Sequence, residues 1–433
     1  MTRLLRIGID DTDSKRTMCT TYVAAQALRE LEKNGYRGAD LPWLIRLNPN
    51  CPYKTRGNAA VCLTIQAKPE DLGRIEEIVV SVVKKWADLE SEGTDPGIVY
   101  AWAEQAEHLR ETYWRALWEI LEPEEIRSRC DSLGIRYVQM KEGRGIVGAA
   151  AAVGADPESL KTFEAIAYRV PEMWGRERLV DEQSVLEMDG SLALYTFDNY
   201  DYEKREVRIT PHTPCPVLAG VRAITPEHAE KGLGMVRFYE PIEFHVVFKT
   251  NQAGDLHYIP ARISDMKPNT SYIVTGVVSS PPTIIPGGHV FVKISDGTGE
   301  VTLAAYEPTG SFRRVVQSLV VGDEVLAYGA VKLKPSGPTL NLEKLAVTRL
   351  ARVTVKAAPP CDICGRRMKS MGQGKGYRCE KCGIKRPDKE PLVVDLERKV
   401  SVGVYEVCVS ARRHLAMPLK LKSSLRHYQH GQC

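Results

Sequence analysis

The first hydrophobic stretch of the chain, residues 4–9, is a short apolar run that predicts a buried β-strand. A polar turn follows, and apolar residues then recur at helical spacing, which predicts a helix over residues 20–33. Two further apolar runs, residues 43–47 and 60–65, predict strands on either side of a loop rich in Asn, Pro and Gly. Strands that alternate with helices favour an α/β architecture for this part of the chain.

The pattern becomes mixed between residues 184 and 224. Residues 193–197 and 206–209 have the short alternation that is typical of strands, and helical spacing is found beside them. We therefore expect a small α+β unit in this region.

From about residue 243 the pattern changes to short alternating strands separated by Gly and Pro turns. Five strands are predicted, over residues 271–278, 289–295, 300–306, 324–333 and 339–347, with a short helix over 311–320 between the third and fourth. Three meander strands, a helix and two closing strands are the order of an OB-fold β-barrel.

The length of 433 residues suits three or four domains, and 43% hydrophobic with 26% charged residues is typical of globular proteins. The longest apolar run, residues 146–155, is far shorter than the roughly 20 residues of a membrane span, and the start of the chain does not resemble a secretory signal. We expect a soluble cytoplasmic protein without a membrane partner. Most of its 11 cysteines are scattered, which favours reduced thiols and metal ligands over disulfides.

Charge is distributed unevenly along the chain. Residues 351–433 hold 18 Lys and Arg against 7 Asp and Glu, whereas the preceding residues hold 41 against 48. A basic end on an acidic body is expected when that end binds a polyanion such as a nucleic acid. The alternative is a solvated basic tail that improves solubility, but the OB-fold pattern beside it favours nucleic acid.

Two CxxC pairs predict a zinc ribbon. The four ligands would be Cys361, Cys364, Cys379 and Cys382, in the pattern CDIC-x14-CEKC. Four thiolates close a tetrahedral site without an open position, so the expected Zn²⁺ is structural rather than catalytic. Redox-active cysteine pairs and chance spacing are the alternatives.

Asp10, Asp11 and Asp13 follow the first predicted strand directly. Because open α/β sheets bind ligands beyond the carboxyl ends of strands, and oxygen-only ligands suit Mg²⁺, the turn predicts a metal site, with Asp10 and Asp11 as Mg²⁺ ligands. Thr20 begins the next predicted helix, where backbone amides favour a phosphate. A metal, a helix N-terminus and a hydroxyl are the components of phosphoryl transfer. The alternative is a solvated turn with Thr20 as an N-cap.

The loop between the next two predicted strands carries Arg46, Lys54, Arg56 and Asn58. Cationic side chains there could neutralise the phosphates of a nucleotide, so we expect these four residues to bind nucleotide or phosphate.

Several motifs together resemble one family. GIDDTDS with MCTTY, RLNPNCPYKTRGNAAVCL, GRGIVGAAAAVG, the zinc ribbon and ARRHLAMPL resemble, in the same order and over nearly the whole chain, the archaeal 2-agmatinylcytidine synthetases of the minor isoleucine tRNA. The resemblance implies a multidomain α+β protein with a kinase-like α/β catalytic domain (1–165), a ferredoxin-like domain (166–240), an OB-fold tRNA-binding domain (241–352) and a zinc ribbon with a basic tail (353–433).

The resemblance also implies an activity. Members of the family attach agmatine to C2 of cytidine 34 in the CAU anticodon, converting ATP to AMP and phosphate, so that the tRNA reads AUA. By position, Asp10, Asp11 and Asp13 match the acidic metal and nucleotide motif, and Thr20 matches a threonine that receives phosphate. This sequence departs from the family pattern at Thr17, at Cys51 and in TPCPV, where GPDPV is more usual.

Agmatine carries a guanidinium group that needs a carboxylate partner. Asp198 and Asp201 in FDNYDYE are the predicted agmatine ligands, and the alternative is an acidic turn between strands.

Two other functions stay open at this point. The chain could be a single-stranded nucleic-acid-binding protein built on the OB fold and ribbon, or another ATP-dependent, kinase-like enzyme that modifies RNA. The first would not turn over ATP, and the second would not leave agmatine on a cytidine.

Overall fold

The computed structural model describes residues 1–335 and 337–422, and residues 423–433, the end of the predicted basic tail, lie outside the described residues. The strand and helix predicted first are present as β1 (Arg3–Asp10) and α1 (Thr20–Lys33). The rest of the N-terminal region comprises β2 (Trp43–Arg46), β3 (Ala59–Ala67), α2 (Leu72–Trp86), β4 (Gly97–Trp102), α3 (Ala103–Ala106), α4 (Arg110–Trp118), α5 (Pro123–Ser132), β5 (Arg136–Gln139) and α6 (Ile146–Val153).

The next region comprises β6 (Thr162–Arg169), α7 (Glu182–Ser191), β7 (Thr196–Phe197), β8 (Tyr200–Asp201), β9 (Glu206–Val207), β10 (Val217–Ala223), α8 (Pro226–Met235) and β11 (Ile242–Thr250). Strand β7 is shorter than the predicted 193–197, because the backbone amide of Tyr195 still bonds the carbonyl of Leu192 at the end of α7.

One nine-stranded sheet runs through both regions, in the order β5-β4-β1-β3-β2-β11-β6-β10-β7. The two halves meet where β2 and β11 pair in parallel, with Trp43 opposite Lys249 and Leu44 opposite Thr250. Strand β11 therefore belongs to this sheet, although the alternating pattern from residue 243 onward suggested the start of the OB-fold strands. Alternation identifies a half-buried strand but does not say with which strand it pairs.

The first half of the sheet is covered on both faces. Leu5, Ile7 and Ile9 of β1 pack with α1 and α2, and the opposite face packs against α4, α5 and α6. Gly8 of β1 faces α6, where a Cβ atom would lie only 2.1 Å from the carbonyl oxygen of Ala149. The small residues of GRGIVGAAAAVG therefore let α6 lie directly on the sheet, next to the end of β1 that is followed by the acidic turn.

The third region comprises β12 (Tyr258–Pro260), β13 (Ser271–Val278), β14 (Thr283–Ile285), β15 (His289–Ser295), β16 (Glu300–Ala305), α9 (Phe312–Gln317), β17 (Glu324–Lys334) and β18 (Gly337–Arg349). All five predicted strands and the short helix are present. Strand β13 pairs with both β17 and β15, while β16 joins β15 to β18 and β18 pairs with β17, so the five strands form a closed ring around their own core.

The fourth region comprises β19 (Thr354–Ala357), β20 (Lys369–Ser370), β21 (Tyr377–Arg378), β22 (Lys385–Arg386), β23 (Leu392–Asp395) and β24 (Gly403–Glu406). Strands β20 to β22 form the small sheet of the ribbon, and β24 returns to pair with β18. Residues 407–422, here called the C-terminal segment, then run back to the large sheet, where Leu415 is buried in the core between the sheet and α4 to α6.

No helix among the described residues is long and apolar enough to cross a membrane.

Candidate active site

A cavity of about 490 Å³ lies where the two halves of the large sheet meet. Nine of the ten predicted catalytic, nucleotide and agmatine residues line it: Asp10, Asp11, Asp13, Thr20, Arg46, Lys54, Arg56, Asn58 and Asp198. Asp201 does not, because its carboxylate accepts hydrogen bonds from the backbone amides of Glu203, Lys204 and Ser410. The fold therefore gathers residues that are up to 188 positions apart in the chain, from Asp10 to Asp198.

The acidic turn at the end of β1 is held in an unusual backbone conformation. Asp11 has a φ of 58°, in the left-handed region that non-glycine residues rarely adopt. Its carboxylate accepts a hydrogen bond of 3.2 Å from the backbone amide of Asp95, and the Thr94 hydroxyl donates to the carbonyl of Asp13 at 2.8 Å. The surrounding loops thus fix the turn so that its side chains face the cavity.

Burial raises the pKa of all three carboxyls of this turn. The pKa of Asp10 is raised well above its ordinary value by burial and by the charge of Asp11. Burial and the neighbouring Asp13 raise the pKa of Asp11 to about 7, and burial raises that of Asp13 to about 6 in spite of Arg56. Within the described ranges neither Asp10 nor Asp11 forms an ion pair with Lys or Arg, although the charge of Lys141 acts to lower the pKa of Asp11.

Thr20 is the first residue of α1 and is buried at the cavity wall. The hydroxyl of Thr12, in the acidic turn, donates to the Thr20 hydroxyl over 3.3 Å, so the turn and the start of the helix are in contact. The N-cap position is Cys19, and no side chain caps the helix. The alternative interpretation of Thr20 as an N-cap is therefore wrong. The amides of Tyr22 and Val23 bond the carbonyl of Cys19, which leaves those of Thr20 and Thr21 to face an anion.

Two glycines of α6 define the space beside Asp10. A Cβ atom on Gly148 would lie 1.8 Å from the Asp10 Oδ2 atom, and one on Gly145 would lie 2.7 Å from the Asp10 carbonyl oxygen. The Asp10 carboxylate therefore rests directly against the first turn of α6, where a larger residue at position 148 would displace it, whereas one at position 145 would meet the backbone of Gly97 and Asp10 instead.

The predicted basic loop largely holds other loops in place. Arg56 donates to the carbonyls of Ser14 and Met18 and lies 3.9 Å from Asp13. Arg46 donates to the carbonyl of Gly57 at 3.0 Å, and burial lowers its pKa to about 10. Arg56 thus ties the basic loop to the acidic turn, whereas Arg46 holds the loop to itself and to Glu164.

The other two predicted residues of this loop also bond its backbone. Asn58 donates to the carbonyl of Asn48 at 2.9 Å, and Lys54 donates to that of Pro49. Burial and the nearby Arg413 lower the pKa of Lys54 to about 8.

The opposite wall comes from the second half of the sheet and from the C-terminal segment. Glu164 of β6 lies 3.5 Å from Arg46 and 3.3 Å from Arg222. Burial acts to raise the pKa of Glu164, but the two arginines outweigh it and leave that pKa below its ordinary value. Asp198, with a φ of 58°, forms an ion pair with Arg412.

Sequence reasoning missed Glu164 and His414 as residues of this cavity. The pKa of His414 is lowered well below its ordinary value by burial and by the charges of Arg46, Arg222, Arg413 and Arg208. Glu164 sits in a strand among apolar residues, and a single buried charge in such a strand was the available signal. His414 had none apart from its place in the ARRHLAMPL motif.

Two cysteines adjoin the N-terminal end of α1. The thiol of Cys19 donates a hydrogen bond to Cys215, and together with Arg56 and Arg178 this lowers the pKa of Cys215 to about 5. The guanidinium of Arg178 is 3.5 Å from the Cys215 sulfur. Cys215 lines the wall of the cavity.

The four predicted zinc ligands lie together in the ribbon, with their sulfur atoms all within 4.8 Å of one another. The sulfurs of Cys364 and Cys379 are 3.6 Å apart. A tetrahedral zinc with Zn–S bonds of about 2.3 Å requires sulfur separations of roughly 3.8 Å, so these residues fit a zinc ion. Gly365 and Gly383 follow the second cysteine of each pair with φ values of 68° and 69°, which lets the knuckles turn.

A cavity with buried carboxylates and a helix-start hydroxyl, joined in one chain to an OB fold and a zinc ribbon, defines an enzyme that acts on a nucleic acid. Four family models match in this order: the TiaS TCKD domain (6–75), the TiaS FLD domain (143–257), an OB-fold nucleic acid binding domain (272–348) and the TiaS C-terminal zinc ribbon domain (358–400). The chain belongs to the TiaS family, the 2-agmatinylcytidine synthetases of the minor isoleucine tRNA.

Curated relatives support this membership over almost their full length. The chain is 42% identical to the tRNA 2-agmatinylcytidine synthetase TiaS of Methanocaldococcus jannaschii, covering 96% of this chain and 99% of the relative. It is also 42% identical to that of Archaeoglobus fulgidus, covering 95% and 96%. Among solved structures, it resembles a complex of TiaS with its isoleucine tRNA, AMPCPP and agmatine, with a TM-score of 0.84 and 38% identity, over 96% of this chain and 97% of that one.

Proposed function

We propose that this chain is an ATP-dependent ligase that attaches agmatine to C2 of cytidine 34 in the CAU anticodon of the minor isoleucine tRNA, giving 2-agmatinylcytidine. The tRNA then reads AUA. The observation that carries the proposal is the cavity in which Asp10, Asp11 and Asp13 share a wall with Thr20. Relatives named for this activity cover nearly the whole chain.

The chemistry follows from the carbonyl at C2 of cytosine, whose oxygen is a poor leaving group. Transfer of a phosphoryl group from ATP to that oxygen creates a leaving group, and the primary amine of agmatine then displaces phosphate and loses a proton. The overall products from ATP are AMP and phosphate: one phosphate leaves C2 when the amine displaces it, and a second phosphoryl group, taken up by the protein, is released as phosphate by water. Thr20, at the uncapped start of α1, is the proposed phosphate acceptor within the protein, because the helix amides stabilise a bound anion there.

Mg²⁺ is the proposed catalytic cation, with Asp10 and Asp11 as ligands. Both carboxyls are buried enough to raise their pKa values and have no Lys or Arg ion pair within the described residues, which fits a site completed by a metal. A bound Mg²⁺ would neutralise phosphate charge during transfer. Arg46, Arg56 and Asn58 are proposed to line the nucleotide phosphates from the opposite loop, and Lys54, the fourth predicted residue of that loop, is proposed to bind a phosphate at its edge.

Asp198 is the proposed partner of the agmatine guanidinium, because its side chain faces the cavity. Its carboxylate already forms an ion pair with Arg412, so agmatine must share or replace a guanidinium supplied by the protein itself. Asp201, the second predicted agmatine residue, uses its carboxylate to hold a turn and the C-terminal segment. We therefore propose that Asp201 helps to fix the shape of the pocket rather than to bind agmatine.

The remaining assignments concern whole domains. Residues 1–165 and 166–240 are proposed as kinase-like catalytic and ferredoxin-like domains, although β6 spans the border between them and β11, beyond residue 240, completes their shared sheet. Residues 241–352 and 353–433 are proposed as the OB-fold barrel and the zinc ribbon with its tail, which bind the tRNA. Structural Zn²⁺ at the four cysteines would hold the ribbon in shape for that contact.

The test combines purified protein, ATP, labelled agmatine and a CAU-anticodon tRNA. We expect label on one cytidine with the native chain and none with Asp10→Asn, while both bind tRNA equally. Asp131→Asn, an exposed residue of α5 without an ion pair in the described structure, is the matched control and keeps full activity. Label in the absence of ATP, or tRNA binding without any incorporation by the native chain, would refute the proposal.

A further inference from the structure

A second, smaller cavity of about 140 Å³ adjoins the proposed catalytic cavity and shares Arg46 and the loop around Gly57 with it. Five basic side chains and one histidine line this small cavity, and no carboxylate does: Arg46, Lys54, Arg56, Arg412, Arg413 and His414. We refer to it as the basic cavity. An enclosed space lined by cations without acids is suited to an anion.

Three of these cations are already neutralised within the protein. Arg46 is 3.5 Å from Glu164, Arg56 is 3.9 Å from Asp13, and Arg412 forms ion pairs with Asp198 and Glu406. The positive charge of these three arginines is therefore balanced by carboxylates in or beside the wall of the catalytic cavity. The remaining two cations, Lys54 and Arg413, are those whose charge can attract an anionic ligand into the basic cavity.

Lys54 and Arg413 have no carboxylate of their own. Lys54 donates only to the carbonyl of Pro49, and the exposed side chain of Arg413 forms no hydrogen bond or ion pair with any described residue. The two positive charges also repel each other, since Arg413 contributes to the lowered pKa of Lys54. Like charges held together without a counter-ion are stabilised when an anion binds between them.

A third cation comes from the OB-fold region. Lys332 of β17 donates to the side-chain carbonyl of Asn269 at 2.8 Å, and the backbone carbonyl of Asn269 accepts a 3.0 Å hydrogen bond from Asn48, the neighbour of Pro49, whose carbonyl accepts from Lys54. Burial together with Arg413 lowers the pKa of Lys332. Glu343 is the carboxylate that acts on Lys54, but it is engaged by the Tyr258 hydroxyl at 2.8 Å and lies 3.3 Å from His257. The three cations without a carboxylate partner thus come from three separate parts of the chain: the basic loop, β17 and the C-terminal segment.

We propose that Lys54, Arg413 and Lys332 form a binding site for one backbone phosphate of the RNA substrate, beside the nucleotide that enters the catalytic cavity. The inference rests on the proposed function for the identity of the RNA. The phosphate source is RNA rather than ATP, because two of the three cations belong to the OB-fold region and the C-terminal segment rather than to the acidic turn and α1. One phosphate held there fixes the strand so that the neighbouring base reaches the cavity.

The test is binding of CAU-anticodon tRNA by Arg413→Gln over a range of salt concentrations. We expect a dissociation constant about tenfold higher at low salt and a slope of log K against log salt that is smaller by about 0.7 to 0.9, as for the loss of one phosphate contact. The affinity for ATP, measured separately without RNA, should not change. Lys332→Gln should have the same effects.

Arg37→Gln is the matched control. Arg37 is exposed and its neighbour Gly38 bridges to Ile65, toward the end of β3 that lies away from the cavity. This variant should bind tRNA and ATP as the native chain does.

Three outcomes would overturn the inference. Weaker ATP binding by Arg413→Gln with unchanged tRNA binding would assign the basic cavity to the nucleotide. An unchanged salt slope would mean that no phosphate binds there, and an equal effect of Arg37→Gln would mean that only net charge matters. Because the readout is RNA binding, it is independent of agmatine incorporation by the native chain, which tests the proposed function itself.

Discussion

Replacing Gly148 by alanine should separate catalysis from stability. The added Cβ atom would lie 1.8 Å from Asp10 Oδ2, whereas ordinary contact begins at 3.4 Å, so the carboxylate must retreat by roughly 1.5 Å. The clash involves a side-chain end rather than backbone. The protein can therefore relieve it by rotating Asp10, at a cost of about 0.5–1.5 kcal/mol for an unfavourable rotamer.

The free energy of unfolding of Gly148→Ala should differ little from that of the native chain, because two contributions to it oppose each other. Alanine is favoured over glycine inside a helix by up to about 1 kcal/mol, which offsets most of the cost of rotating Asp10. Activity should fall about 100-fold, as expected for a catalytic group that moves by about 1 Å. The assay is the rate of agmatine incorporation at saturating ATP and tRNA, accompanied by the melting temperature.

Two further glycines supply the comparison. Gly190 of α7 has nothing within 4 Å of its would-be Cβ atom, so Gly190→Ala should keep full activity and equal or higher stability. Gly8→Ala would meet the Ala149 carbonyl oxygen at 2.1 Å and should destabilise the fold itself. The reasoning would be refuted if Gly148→Ala were as active as Gly190→Ala, or if it lost stability to the extent that Gly8→Ala does.

Further predictions concern the acidic turn, the helix start, the pocket and the ribbon. Thr20→Val should abolish incorporation and, because the buried Thr12 hydroxyl loses its acceptor, lower the stability by about 1–3 kcal/mol. Thr20→Ser should restore part of the activity and most of the stability, and activity in Thr20→Val would exclude the hydroxyl as phosphate acceptor. The raised pKa of Asp11, about 7, means that the folded state binds the proton more tightly than the unfolded state, so stability is lost as pH rises from about 4 through 7. Asp11→Asn should therefore melt above the native chain at pH 8 and near it at pH 4, with Mg²⁺ narrowing the gap only in the native chain; a gap independent of pH would contradict this. Asp198→Asn should raise the KM for agmatine more than tenfold, since it removes a charge-assisted hydrogen bond, and leave the KM for ATP unchanged. Cys379→Ser should lower the zinc content measured by mass spectrometry and expose the ribbon to proteolysis, and full retention of zinc would argue against a four-cysteine site.

Local features of the fold could be predicted closely from the sequence. Helix α1 was placed at its observed bounds because its apolar face has a clear period and a polar turn precedes it. The five OB-fold strands and their helix were found because each is short, alternating and bounded by Gly or Pro. The zinc ligands follow from spacing alone, since both CxxC pairs lie on tight knuckles.

Long-range pairing could not be predicted in the same way. Strand β11 has an alternating pattern that fits either sheet, and only the structure places it beside β2 and β6. The ion pair of Asp198 with Arg412 joins residues that are 214 positions apart, and no local pattern connects them. Asp201 looked equivalent to Asp198 in sequence, yet its burial against backbone amides gives it a different task.

The C-terminal segment has a consequence for how the enzyme is made. Because Asp10, Arg412 and His414 line the same cavity, that cavity is complete only when residues that are translated about 400 positions apart have met. A nascent chain holding only the large sheet would have its aspartates, Thr20 and the basic loop, but the cavity wall would still lack Arg412 and His414. The order of synthesis therefore means that the catalytic cavity can be completed only after the OB fold and the ribbon have been translated.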